Sequence, residues 1–106
     1  MNTLSLEMAP PASRPSTVRV AAMVSAALPF LGGNTFRALE LVRNVATPPV
    51  MYLSLGEHVT QEQVEDIALE TIDHRIRVRP GWTCSDRLGC AHAIALAWEQ
   101  AGTWLR

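Results

Sequence analysis

The chain has no lysine; all nine of its basic residues are arginine. Codon bias in a GC-rich genome accounts for that choice without any role in bidentate anion recognition. Charged residues of either sign are also sparse, at 18%, and the formal net charge is −1. A chain so nearly neutral has no global field to attract bulk nucleic acid or an anionic membrane. Only two cysteines are present, Cys84 and Cys90. Small secreted domains held by disulfides usually carry four or more, so a reducing cytoplasm is the expected compartment. No Cys-x-x-Cys spacing, Gly-x-Ser-x-Gly elbow, phosphate-binding loop or metalloprotease motif occurs. The chemistry those patterns carry is therefore not expected, and neither is a cofactor.

Long apolar runs are missing too. The longest, Val20 to Leu31, falls short of the roughly 20 residues needed to span a bilayer. With Arg14 and Arg19 ahead of it and the small residues Ser25-Ala26-Ala27 inside it, a signal peptide over 1–31 is the alternative reading, and the product would then be secreted. The long preceding segment with Glu7, and Pro29 within the run, favour a buried amphipathic helix instead.

What is there fits one small domain: 106 residues, 48% of them apolar. Residues 1–16 hold Pro10, Pro11 and Pro15 and read as a flexible segment, with a short Leu4, Leu6, Met8 alternation ahead of the prolines. From 17 to 106 the pattern is globular. Ser16 and Thr17 can cap a first helix to about Leu28, closed by Pro29 and Gly32-Gly33. Asn34 caps a second over 35–46, with Phe36, Leu39, Val42 and Val45 on its core face and Pro48-Pro49 as its end. Thr60 and Gln63 form a capping box for a third helix over 61–73, burying Val64, Ile67, Ala68, Thr71 and Ile72. A last helix over 88–101 places Ala91, Ile94, Ala95, Trp98 and Ala101 on one side and Ala93 and Ala97 on the other, as suits a central helix.

Two segments read as strands. The apolar run at 50–55 lies between chain breakers, and Arg75-Ile76-Arg77-Val78-Arg79 alternates strictly before Pro80-Gly81. The expected fold is thus α+β and predominantly helical: about four helices with a small two-stranded element built from 50–55 and 75–79. The helix between these strands is long enough for a parallel crossover.

Three groups of side chains are candidates for chemistry. Cys84, Cys90 and His92, with His74 nearby, are residue types that bind zinc. In a helix, however, Cys90 and His92 point about 200° apart. A Cys84–Cys90 disulfide would need 84–88 to be non-helical, as Gly89 and the possible cap Asp86 suggest. The stripe Arg75, Arg77, Arg79, with Trp82 for stacking, is an anion or nucleic-acid candidate. It is answered by the acidic row Glu62, Asp66, Glu70 and Asp73 on the preceding helix. Gly32-Gly33-Asn34-Thr35 superficially resembles an anion cradle but lacks a following lysine. The neighbours Glu57-His58 and Asp73-His74 face different ways in any regular element and are not acid–base partners by adjacency.

By elimination, the expected function is that of a small non-enzymatic accessory or regulatory protein. It would act through protein–protein contact or self-association, for which three tryptophans are suited. A Cys/His zinc module is the alternative, and nucleic-acid binding through the arginine stripe the second alternative.

Overall fold

The computed structural model describes residues 17–54 and 59–104, with the side chains of 17–47 and 59–102. The readings of 1–16 as a flexible segment and of Glu57-His58 lie outside the described residues. Four α-helices follow one another: α1 (Thr17–Ala27), α2 (Thr35–Ser54), α3 (Gln61–Val78) and α4 (Arg87–Trp104), with a 3-10 turn at Leu28–Leu31 between the first two.

The helix starts follow from local chemistry. The Asn34 side-chain oxygen accepts the Arg37 N–H at 3.0 Å and opens α2. At α3, Thr60 Oγ1 accepts the Gln63 N–H at 3.1 Å, and Gln63 Oε1 accepts the Thr60 N–H at 2.8 Å, which completes the capping box. Asp86 Oδ1 does the same for α4, accepting the Gly89 N–H at 3.0 Å.

Among the described residues there is no strand, so the α+β expectation is corrected to an all-helical bundle. The segment 75–78 is the last turn of α3, and 50–54 is the end of α2; Leu55 lies outside the described residues. The reason is visible in the burial. Val64, Ala68, Ile72 and Arg75 form one buried stripe at helical spacing, so the core continues straight through the apparent alternation. Ile76 and Val78, the apolar members of that alternation, point outward, 43% and 52% exposed. The helix stops only where Pro80 forces the preceding residue out of the helical region: Arg79 has φ −118° and ψ 104°. Arg79-Pro80-Gly81-Trp82 then closes a turn, with Gly81 at φ 82° and the Trp82 N–H donating to the Arg79 carbonyl at 3.0 Å.

The expected end of α2 is corrected in the same way. The helix runs on through Pro48-Pro49, whose missing N–H groups leave the carbonyls of Asn44 and Val45 without their helical donors. Proline's φ is itself compatible with a helix, so the pair weakens the ladder without ending it. The core face of α2 is also rotated from the expected one. Ala38, Leu41, Val42, Val45 and Ala46 are buried, Leu39 is half-buried and Phe36 is exposed.

Cross-links between elements give the topology. Arg19 at the start of α1 donates from Nε to the Trp98 carbonyl near the end of α4 at 2.8 Å. Asp73 and Arg87 pair at 3.1 Å, and Glu65 and His92 at 3.1 Å, so α3 and α4 are antiparallel. Glu40 near the start of α2 meets Arg79 at the end of α3. The helices therefore run up and down around a ring α1–α2–α3–α4, with α4 packed most closely on α1 and α3 and lying across from α2. One core cluster joins all four, from Met23 and Leu41 to Ile72, Ile94 and Trp98.

Candidate functional site

One end of the bundle gathers the start of α2, the end of α3, the 82–86 segment and the start of α4. The arginines there do not form a stripe. Arg75 is buried, its side chain 10% exposed, with Nη1 3.4 Å from Glu40 Oε1. That nitrogen is enclosed and makes no hydrogen bond, so the contact is an ion pair without directional bonding. Arg79 shares the same carboxylate, Nη1 lying 2.9 Å from Glu40 Oε2. Arg77 is exposed, about 200° around the helix from Arg75. An open groove of about 740 Å³ along α3 is lined by Asn44, Glu70, His74, Arg75, Arg77 and Arg79. Glu40 and Glu70 offset most of its positive charge. Trp82 is buried, with Nε1 enclosed and unbonded, and is not available to stack on a base.

The cysteines do meet. Ser85 is pinned to the 3-10 turn, its N–H donating to the Phe30 carbonyl at 3.0 Å, and Trp82 is sunk in the core. Between them, half-buried Cys84 packs against the core cluster that holds the buried Cys90, and the two thiols are close enough to influence one another. Burial above all, then the neighbouring Cys84 and lastly the Asp86 carboxylate, push the Cys90 thiol up to about 12. His92 faces away, toward Glu65, and His74 lies in the groove on α3. Among the described residues, no group of three or more His, Cys, Asp and Glu side chains is placed to hold a metal.

Gly32 and Gly33 take positive φ values of 65° and 72° to turn the chain, and Asn34 itself satisfies the start of α2. Asp73 pairs with Arg87 and not with His74. What sequence reasoning missed is the apolar surface. Six large hydrophobics are exposed among the described residues, and four of them lie at this one end. They are Phe36 (77% exposed), Leu88 (59%), Val78 and Ile76. With Asn34 as cap, Phe36 falls in the first turn of α2, outside the buried stripe through Ala38, Leu41, Val42 and Val45.

No helix among the described residues is long and apolar enough to cross a membrane. The chain matches no protein family model, no curated protein and no solved structure.

Proposed function

We propose that the protein is a small non-enzymatic accessory protein that binds another protein surface, a second copy of itself included, through the end of the bundle bearing Phe36. The observation that carries this reading is the placement of Phe36, Ile76, Val78 and Leu88. Each leaves apolar area in water, and together they place four of the six exposed large hydrophobics among the described residues at one end of the bundle. An aromatic side chain 77% exposed is of the type enriched at the centre of protein contacts. Both cysteines are free thiols, which fits a cytoplasmic setting.

A photo-crosslinking residue placed at position 36 in the cell tests the reading. It is expected to yield a discrete protein adduct, which mass spectrometry assigns to this chain or to a second one. The same probe at Glu62, exposed at the opposite end of α3, is expected to yield none. Equal labelling from both positions, or none from position 36, would refute the assignment.

A further inference from the structure

The two thiols carry an inference that the contact surface does not require. Cys84 is half-buried, beside a cavity of about 490 Å³ lined also by Phe30, Asn34, Arg37, Thr83 and Ser85. Cys90 is fully enclosed in the core, and Cys84 packs against that same core cluster, near enough to act on the Cys90 thiol. The backbone holds them in this relation. The 79–82 turn and the Ser85–Phe30 bond fix the segment that carries Cys84. Asp86 caps α4, with its carboxylate in the space a side chain at Gly89 would need, and the Cys90 N–H donates to the Asp86 carbonyl at 2.8 Å. Glycine at 89 thus leaves room for the Asp86 cap. Because 84–86 are not helical, the separation that would forbid a bridge within a continuous helix does not apply.

We propose that Cys84 and Cys90 are a dithiol pair that a hydroperoxide converts to an intramolecular disulfide, with Cys84 reacting first and Cys90 resolving. The Cys84 sulfur attacks the terminal peroxide oxygen, the O–O bond breaks, and the departing oxygen leaves as an alcohol or water, taking the thiol proton. Cys84 is then a sulfenic acid. The Cys90 sulfur attacks the Cys84 sulfur; the S–S bond forms and the S–O bond breaks. The departing hydroxide takes the Cys90 proton and leaves as water. Two thiols and one hydroperoxide give one disulfide, one alcohol or water, and one water; the two sulfurs supply the two electrons. The order of events follows from exposure, since only Cys84 borders a cavity an oxidant can enter.

The test treats the reduced full chain with hydrogen peroxide, then reads intact mass and thiol content after alkylation in denaturant. The expected product is a monomer lighter by two hydrogen masses, with neither thiol alkylated, and restored by dithiothreitol. Cys90→Ser is expected to stop at a Cys84 sulfenic acid that dimedone traps. Cys84→Ser is expected to keep Cys90 alkylatable at the same dose. Three results would overturn the proposal: disulfides between chains, an over-oxidised Cys84 beside a Cys90 that still alkylates, or two unchanged thiols at doses that oxidise free cysteine.

Discussion

Glu40 shows how much rests on single side chains. It is the shared counter-charge for Arg75, almost wholly buried, and Arg79, half exposed. Removing one partner of a fully buried pair costs about 3–5 kcal/mol, and exposed pairs contribute about 0.2–1 kcal/mol. The Glu40 side chain is 29% exposed, which places it between these limits. Glu40→Gln is therefore expected to destabilise the protein by about 2 kcal/mol, because it strands the Arg75 charge. Arg79→Ala should cost less than about 1 kcal/mol. Urea unfolding of both variants measures the difference; equal effects would mean that Arg75 reaches water and is not held by Glu40. The opposite end of the bundle has its own cation contact, with Arg19 half-buried. The Arg19 guanidinium lies 4.0 Å from the centre of the Trp98 ring and also donates to that residue's carbonyl, so one arginine ties α1 to α4.

At the level of elements, the question is what α3 does beyond Asp73. If 75–79 were a strand with Ile76 and Val78 on its buried face, Ile76→Ala would cost about 2–5 kcal/mol. In the helix, Ile76 is 43% exposed, and alanine is the better helix former. The expected cost of Ile76→Ala is then below about 1 kcal/mol, again by urea unfolding. The helix starts were legible in the sequence because a cap is a local arrangement: Asn34, Thr60 with Gln63, and Asp86 each act within three residues. The buried stripe of α4 was legible too, since Ala91, Ile94, Ala95, Trp98 and Ala101 keep helical spacing without a competing period. The C-terminal parts of α2 and α3 were not. Their outcome turns on tertiary facts: a half-buried carboxylate on α2 to receive Arg75, and a helix already propagating, whose next turn is cheaper than a new strand. Of the candidate site residues, the Cys84–Cys90 meeting was open to sequence reasoning through Asp86 and Gly89. The exposure of Phe36 required knowing the rotation of α2.

Taken whole, the molecule is an elongated ring of four helices, 48 × 23 × 23 Å, with its exposed apolar side chains weighted to one end and its thiol pair at the same end. Its lack of lysine makes one global property easy to isolate. Few groups in this chain titrate between about pH 9 and 12, so the buried thiol stands out there. The Cys90 thiol is held at about 12, above its ordinary value of 9.0. Below about pH 9 both folded and unfolded chains keep that proton, and the contribution of Cys90 is present in full. Between about 9 and 12 the unfolded chain gives it up while the folded chain retains it. The unfolded state then binds fewer protons, and stability falls with rising pH by up to about 1.4 kcal/mol per pH unit. Under dithiothreitol, the urea midpoint is expected to drop between about pH 8 and about pH 10.5. Cys90→Ala should start lower at the milder pH, because it loses packing, yet fall less steeply. An identical slope in the two proteins would show that the thiol is hydrated in the fold. Oxidised protein supplies an independent arm, since a Cys84–Cys90 disulfide has no proton to lose. Its midpoint should therefore decline with pH no faster than that of the alanine variant.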